Sequence, residues 1–417
     1  MELKPENHTQ IVGLLEKGVS IPNPLTLDVG KEVDIDRVSS KGVRLYPGCR
    51  IYGANTVISE GAQIGYEGPV TIEDCRIGPH VALKGGFFRR AVFLEGASMG
   101  SGAHVREGCL LEEHASGAHC VGLKQTILFP FVTLGSLINF CDCLMAGGTS
   151  RKAHSEVGSA YIHFNFSADG DKATASIYGD VPRGVMINQP PIFLGGQGGT
   201  VGPIRVTYGN VAVAGTILRK DALTPNRLLI GKTHRGGTIP FTAGLYPGIS
   251  RLVEHNIYYL ASLTALKQWY AQVRHPFFRM QKLGDLMYEG ALEILDLAVE
   301  ERLKRLDEVA QRMPHSIELR GGEASDKEGR MAFHRNMDRI RDLFESDIAE
   351  EPETDLRDRF LKGIEANSGE RQNYLQAIQG LPSDISALGT AWLEGVINRL
   401  CRMSADMLPA MRLFRKL

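Results

Sequence analysis

An apolar residue recurs at every sixth position from residue 93 onward. The series is Phe93, Met99, Val105 and Leu111, closed by Gly117, and its hexads read FLEGAS, MGSGAH, VREGCL and LEEHAS. A period of six puts successive apolar residues on opposite sides of an α-helix, so a helix does not explain it. A coil explains the period if its apolar position points inward on each face. The small fifth residue then packs in the crowded corner, and glycine takes the turn. The pattern predicts a parallel β-helix in which three hexads close one turn.

Earlier parts of the chain carry the same phase. LYPGCR at 45–50 and ISEGAQ at 58–63 repeat it, and a one-residue slip near Val57 separates the first of these runs from the second. An antiparallel sandwich would instead show strict alternation with longer, irregular turns. Stacked coils need caps. Because Ile11, Leu14 and Leu15 have helical spacing and Gly18 follows them, we expect a short helical cap at the N-terminal end.

The period changes after residue 250. Apolar residues then recur every three or four positions, which predicts amphipathic helices; the clearest series is Leu292, Leu295, Val299, Leu303, Leu306, Ala310 and Met313. Further helices are predicted near 251–275, 326–350, 354–380 and 384–415, and segment 315–329 is predicted to be an exposed loop. We expect this region to pack against the β-helix or to extend an oligomer contact.

Glycine content divides the chain at the same point. Of 47 glycines, 37 lie in the first 250 residues, and both tryptophans come after them. We therefore expect three parts: an N-terminal helical cap or arm at 1–28, a β-helix domain at 29–250 and an α-helical domain at 251–417. The expected fold class is mainly β.

Charge and cysteine usage exclude several classes of partner. The formal net charge of −1 gives no basic field for nucleic acid or a membrane surface. The opening MELKPENHTQ has charges where a secretory signal would be apolar, so a cytoplasmic location is expected. Seven cysteines at irregular positions fit free thiols in a reducing compartment. Cys141 and Cys143 lack the paired spacing of a zinc site, and no metal is predicted.

Residues 151–172, RKAHSEVGSAYIHFNFSADGDK, interrupt the repeat with chemically active side chains. His154 follows the small-residue stretch MAGGTSRKA, typical of a loop lifted off the coil, and an imidazole can accept a proton near neutral pH. The alternative is a solvated turn histidine. Asn165 could orient a histidine or hydrogen-bond a substrate carbonyl, and neighbouring Phe166 could pack on a ligand such as a bound cofactor, or in the core.

Four further residues of this segment are candidates for binding a substrate. The cations Arg151, Lys152 and Lys172 suit a phosphate or a sugar-nucleotide diphosphate, although a solvated basic rim would look the same. His163 alternates with Tyr161 and Asn165 as in a strand, so it is structural or lines a groove.

The hexads resemble the left-handed parallel β-helix of the hexapeptide acyltransferases. IFLGGQGGTVGPIRVTYGNVAVAGTILRKD (192–221) is similar to the acetyl-CoA-binding coils of the acetyltransferase half of the bifunctional N-acetylglucosamine-1-phosphate uridylyltransferase/glucosamine-1-phosphate acetyltransferase. SRKAH (150–154) is similar to the segment that holds that enzyme's catalytic base, and FNFSADGDK (164–172) to its Cys-Asn-Tyr-Asp-Gly segment. The chain also resembles stand-alone proteins described as UDP-N-acetylglucosamine pyrophosphorylase-related.

The resemblance implies a left-handed β-helix and a homotrimer, with the acyl-CoA groove between subunits. It implies acetyl-CoA as donor, with Gly196 and Ala214 at cofactor contacts, and His154 as base. The interval from His154 to Asn165 is about one coil shorter than in the acetyltransferase, and the tyrosine and asparagine of that missing coil have no counterparts.

Three functions follow from these observations. The first is acyl transfer to a sugar phosphate or nucleotide sugar, which needs a base, an oxyanion donor and a pantetheine groove. The second is nucleotidyl transfer, against which the missing Gly-rich phosphate loop argues. The third is a non-catalytic scaffold that binds a sugar nucleotide and recruits a partner through the helical region.

Overall fold

The computed structural model describes residues 8–231, 236–238, 240–319, 324–345, 354–367 and 373–415. Its first half is a parallel β-solenoid of about eleven turns, and several helices follow. Ser98 pairs with Ser116, and Phe193 with Val211, each eighteen residues further along the chain. Three hexads therefore close one turn, and the predicted fold class, a mainly β hexapeptide solenoid followed by helices, is confirmed.

Each turn of the solenoid passes through three faces. Face 1 contains Asp28–Val29, Arg50–Tyr52, Val70–Glu73, Gly86–Arg89, Ala103–Val105, Ile162–Phe164, Gly199–Val201 and Ile217–Leu218. Face 2 contains Val57–Ile58, Arg76–Ile77, Ala91–Phe93, Cys109–Leu111, Ser176–Tyr178 and Arg205–Val206. Gly122–Leu128 and Asn139–Met145 run through both of these faces. Face 3 contains Arg44–Leu45, Gln63–Ile64, Ala82–Leu83, Ser98–Met99, Ser116–Gly117, Thr133–Leu134, Glu156–Val157, Phe193–Leu194, Val211–Ala212 and Leu228–Leu229.

The hexad positions have the burial that their pattern predicts. Phe93, Met99, Val105 and Leu111 are all fully buried in the solenoid core. The small fifth residues are at most 2% exposed, as at Ala97, Ala103, Cys109 and Ala115. The bends between faces are called corners and are named by the faces that they join: corner 1/2 lies between faces 1 and 2, corner 2/3 between faces 2 and 3, and corner 3/1 between faces 3 and 1.

Ten helices accompany the solenoid in the described ranges. They are α1 His8–Glu16, α2 Val181–Gly184, α3 Ile249–Trp269, α4 His275–Arg279, α5 Gly284–Ala310, α6 Met313–Leu319, α7 Ala324–Glu345, α8 Thr354–Asn367, α9 Tyr374–Gln379 and α10 Ser383–Met407. A π-helical turn, Tyr270–Arg274, joins α3 to α4. No described helix is long and apolar enough to cross a membrane.

The helical region covers face 2. Helix α5 packs on Arg76–Ile77, Ala91–Phe93 and Cys109–Leu111, and α3 packs on Ser176–Tyr178. Every residue of these four strands is buried, whereas strands such as Ala103–Val105 on face 1 alternate between buried and exposed. The outward residues of face 2 are apolar at Val92, Leu110 and Ile177, and their burial beneath helices holds the two regions together. The C-terminal helices therefore pack against the solenoid of their own chain.

Buried arginines of the helical region bind acids of the solenoid. Arg274 lies beside both Glu112, at 3.3 Å from Nη1 to Oε1, and Glu113, to which its Nη2 donates. Arg302 donates to Asp142. Both guanidinium groups are 2% exposed, and removing one partner of such a pair leaves a buried charge uncompensated.

Two elements differ in detail from the sequence predictions. The predicted exposed loop at 315–329 is wrong in its described parts, because Met313–Leu319 and the residues from Ala324 onward are helical, and 320–323 lie outside the described residues. Ser316 is buried there and donates to the carbonyl oxygen of Leu245 at 3.1 Å. At the N-terminal end, α1 buries Ile11 and Leu14 but leaves Leu15 41% exposed.

Candidate active site

A short antiparallel hairpin interrupts the solenoid at corner 2/3. Strand Gly148–Ser150 pairs with Ala153–His154, and these residues stand between face 2 and face 3 of the same turn. Gly148 has φ +101°, and a Cβ atom there would lie 2.5 Å from Cα of His154. Glycine is required because both the left-handed backbone and the close approach exclude a side chain. The small-residue stretch therefore lifts His154 off the coil, as the sequence predicts.

The imidazole of His154 is held by its own hairpin. Its Nδ1 lies 3.0 Å from the carbonyl oxygen of Arg151, and a carbonyl can only accept, so the contact requires a proton on Nδ1. In the neutral ring, Nε2 then carries the lone pair. Nε2 lies 3.8 Å from the Glu156 carboxylate, and the His154 side chain is 20% exposed. The ring is oriented, partly accessible and able to accept a proton at Nε2.

Glu156 is a neighbour of His154 that sequence reasoning missed. It begins the face 3 strand two residues after His154. Residues two apart in extended chain point to the same side, and this spacing was the available signal. A carboxylate near Nε2 stabilises the imidazolium that forms when the ring takes a proton.

Arg151 and Lys152 form the exposed tip of the hairpin. Arg151 Nη1 donates to the carbonyl oxygen of His114 at 2.8 Å and to Ser116 Oγ at 3.1 Å. Lys152 has an exposed side chain. On the other side, Gln379 Nε2 donates to the carbonyl oxygen of Thr149 at 2.7 Å. The hairpin is thus tied to a solenoid corner and to the end of α9.

Asn165 lies at corner 1/2, a different corner from that of His154. It follows the face 1 strand Ile162–Phe164, and its Nδ2 donates to Asp142 Oδ2 at 2.6 Å. Asp142 also accepts from Arg302, whose Nη1 donates to the carbonyl oxygen of Lys172 at 3.1 Å. The structure therefore brings Asn165 and Lys172 together around Asp142 and Arg302. Within one chain, Asn165 does not orient the His154 ring, because the turn carries the two residues to separate corners.

His163 lies inside the solenoid. It is 1% exposed, and its Nε2 is 2.8 Å from Ser176 Oγ. Burial, which penalises the charged form, lowers the pKa of His163 to about 4. From sequence, His163 was expected either to be structural or to line a groove. Its position fits the structural role, because a solute outside the coil has no access to the ring. The expected substrate contact is corrected accordingly.

The residues assigned to the cofactor lie on two corners. Gly196 and Ala214 stack at corner 3/1 in successive turns, while Phe166, 63% exposed, stands at corner 1/2. A Cβ atom on Gly196 would lie 2.8 Å from the carbonyl oxygen of Ser159 in the turn below. Coil packing alone therefore explains why residue 196 is glycine. The bare backbone at this corner is also what a pantetheine arm would require.

Comparison with known proteins supports the resemblance carried by the hexads. No family model matches the chain. The chain is similar to proteins named "Bifunctional protein GlmU": that of Thermotoga maritima is 27% identical over 229 residues, 54% of this chain and 45% of the relative. That of Pelobacter propionicus is 28% identical over 211 residues, 50% of this chain and 40% of the relative. The chain spans less than half the length of these curated relatives, and its predicted likeness to the bifunctional enzymes is confirmed over about half of its own length.

Proposed function

We propose that this protein is an acyltransferase that moves an acetyl group from acetyl-CoA to an amine or hydroxyl of a sugar phosphate or nucleotide sugar. The orientation of His154 carries the proposal, because its hairpin fixes Nδ1 on a carbonyl and leaves Nε2 as the basic atom. The name of the relatives is consistent with it. Because all seven cysteines are free thiols, which persist in a reducing compartment, the proposal includes a cytoplasmic location.

The proposed reaction needs one base and one leaving thiolate. His154 Nε2 removes the proton from the acceptor nitrogen or oxygen as that atom attacks the thioester carbonyl. The tetrahedral intermediate collapses, the carbon–sulfur bond breaks, and the imidazolium returns its proton to the thiolate of coenzyme A. Glu156 stabilises the imidazolium between these two steps. Arg151, Lys152 and Lys172 would bind the acceptor's phosphate, and Asn165 would hydrogen-bond the substrate carbonyl.

The separation of these residues over three corners favours a site shared between copies of the chain. His154 lies at corner 2/3, Asn165 and Phe166 at corner 1/2, and Gly196 and Ala214 at corner 3/1. No single solenoid can bring three corners to one ligand. In a cyclic trimer, different corners of neighbouring copies face one another across each groove. A homotrimer therefore completes the proposed site.

An exposed apolar ridge supports this assembly. Phe193, Val211 and Leu228 stack in register on face 3 of the last turns and are 39%, 39% and 62% exposed. Ile162 and Ile217 add exposed side chains on face 1, 41% and 43% exposed. The ridge flanks corner 3/1, on the side of the solenoid away from the helix-covered face 2. Contiguous exposed apolar surface of this kind marks protein interfaces.

Thiol release from acetyl-CoA tests the proposed transfer. Purified protein is incubated with acetyl-CoA and glucosamine 1-phosphate or UDP-N-acetylglucosamine, and free coenzyme A is measured. We expect acceptor-dependent release that falls at least about a hundredfold in His154→Asn. His104→Asn, which changes an exposed histidine on face 1, is the matched control and keeps full activity. Release that is equal in both variants refutes the role of His154, and pyrophosphate release with UTP would instead support nucleotidyl transfer.

A further inference from the structure

A groove runs along the seam between corner 2/3 of the solenoid and the helical region. It consists of two cavities of about 560 and 200 Å³ that share Met280 and Gln281 as lining residues. The larger is lined by Lys41, Glu60, Arg279 and Lys282, and the smaller by Glu95, Glu113, His114 and Tyr374. Together they have the size of a small-molecule site. We call this the seam groove.

The two ends of the seam groove carry opposite charge. The larger cavity has three cations and one acid, and Lys41 is paired with Glu60 at 3.7 Å, so Arg279 and Lys282 leave an excess of positive charge. Ser39 and Ser59, both 5% exposed, place hydroxyls in the same wall. Cations with hydroxyl donors suit a phosphate group.

The smaller end offers acceptors instead. Glu95 and Glu113 line this end together with Tyr374. One oxygen of Glu113, Oε2, is buried and has no hydrogen-bond donor among the described residues. That oxygen exposes no surface to the cavity, so the partly exposed carboxylate of Glu95 is the acceptor that a ligand hydroxyl or ammonium can reach. Carboxylates next to an aromatic ring suit a polar group rich in N–H or O–H donors.

Buried Arg274 fixes this end before any ligand binds. Its Nη2 donates to Glu113, and its Cζ lies 3.9 Å from the centroid of the Tyr374 ring. Tyr374 OH in turn accepts from Trp269 Nε1 at 3.0 Å. Two lining side chains from different parts of the chain are therefore held in place by one fully buried cation.

The acidic end of the groove adjoins the hairpin of the proposed base. His114 lines the smaller cavity, and its carbonyl oxygen accepts from Arg151, which also holds the Nδ1 atom of His154 through its own carbonyl. A ligand with its phosphate at Arg279 and Lys282 would extend its donor-rich end toward this hairpin.

We propose that the seam groove binds a small phosphate ester whose opposite end is rich in hydroxyl or amine groups. The site lies between the solenoid and the helices of one chain, and it assigns a binding role to the helical region. The assignment does not rest on the proposed acyl transfer, in which Arg151, Lys152 and Lys172 bind the phosphate of the acceptor. Binding itself requires neither acetyl-CoA nor His154.

Calorimetric titration with glucosamine 1-phosphate, glucose 1-phosphate and unphosphorylated glucosamine tests the site. We expect saturable binding of the phosphate esters that weakens at least about tenfold in Arg279→Glu/Lys282→Glu. Glu95→Gln weakens glucosamine 1-phosphate more than glucose 1-phosphate, because only the former carries an ammonium group. Lys362→Glu, which changes an exposed cation on α8 outside the cavities described here, binds as the wild type does.

The outcomes separate the groove from the transfer reaction. Equal affinity in wild type and Arg279→Glu/Lys282→Glu, or no saturable binding of either ester by the wild type, overturns the seam groove as a site. His154→Asn should bind the esters with wild-type affinity, so loss of turnover with retained binding leaves the groove standing. Circular dichroism of the double variant shows that its charges, and not its fold, were changed.

Discussion

Arg151 Nη1 donates to the carbonyl oxygen of His114 at 2.8 Å, across 37 residues of chain. The bond ties the tip of the hairpin to a corner of an earlier turn, while the carbonyl of Arg151 itself holds Nδ1 of His154. One residue thus links the position of the proposed base to the solenoid.

Replacing Arg151 by methionine should loosen the hairpin without unfolding the solenoid. Methionine keeps much of the side-chain length but donates no hydrogen bond, so the tip is no longer tied to His114 and the backbone carbonyl that orients the His154 ring is held less firmly. We expect kcat to fall about tenfold, while the free energy of unfolding changes by less than about 1 kcal/mol. Lys152→Met removes a cation of the same tip that makes no bond to His114, so it should raise the KM for the acceptor and leave kcat near that of the wild type. Equal losses of kcat in both variants would show that hairpin charge, and not the bond to His114, matters.

Gly148→Ala should impair the proposed base, His154, through the backbone. Its φ of +101° and the 2.5 Å approach of a Cβ atom to His154 Cα both oppose a side chain. We expect a loss of about 2 kcal/mol in stability, measured by urea unfolding, and a larger proportional loss of turnover. Gly42→Ala is the control: Gly42 has φ +67°, but its nearest contact would be at 3.5 Å. If the two variants behave alike, the close approach at the hairpin is not decisive.

The buried carboxyl of Glu112 should make stability fall as pH rises. Burial raises its pKa from 4.5 to about 7, against the opposing effect of Arg274. The folded protein then retains a proton that the unfolded chain loses, so stability declines between about pH 4.5 and 7. Glu112→Gln, still able to accept from Tyr270, should remove about 1 to 3 kcal/mol of this decline. Urea unfolding over that range, with exposed Glu318→Gln as control, measures it; an unchanged slope in Glu112→Gln contradicts the assignment.

His163 should act in the opposite direction. Burial lowers its pKa from 6.5 to about 4, so the unfolded chain binds a proton that the folded protein excludes. Stability from this residue is present above about pH 6.5 and is lost as pH falls toward 4. As pH falls from about 6.5 to 4, the free energy of unfolding measured in urea should decrease less in His163→Asn than in the wild type. A larger decrease of that free energy in the variant than in the wild type would show that the folded protein accommodates the imidazolium. Asn is chosen because its amide can still hydrogen-bond Ser176.

The hexads predicted the solenoid because the signal is local. The six-residue spacing of Phe93, Met99, Val105 and Leu111 follows from the geometry of the coil. Each face of each turn requires one buried apolar side chain at this position. The cover on face 2 left a signal that sequence reasoning did not use, since Val92, Leu110 and Ile177 are apolar at outward positions. To interpret these apolar residues as a covered surface, one must know which strands belong to face 2.

The contacts across the seam could not be predicted from sequence. Glu113 and Arg274 lie 161 residues apart and follow no period, so only the packing of the π-helical turn on corner 2/3 brings them together. His154 and Asn165 show the converse, because eleven residues of sequence carry the chain around the turn to another corner. Sequence proximity therefore suggested a partnership that one chain does not make.

Subunit mixing tests the central claim, that transfer occurs at a site built on His154 and completed by a second copy. His154→Asn and Asn165→Ala, each inactive alone, are co-refolded in equal amounts and assayed for acceptor-dependent release of coenzyme A. If the two residues serve one site from different copies, random trimers recover about a quarter of wild-type activity. No recovery, or full activity of Asn165→Ala by itself, would contradict the account.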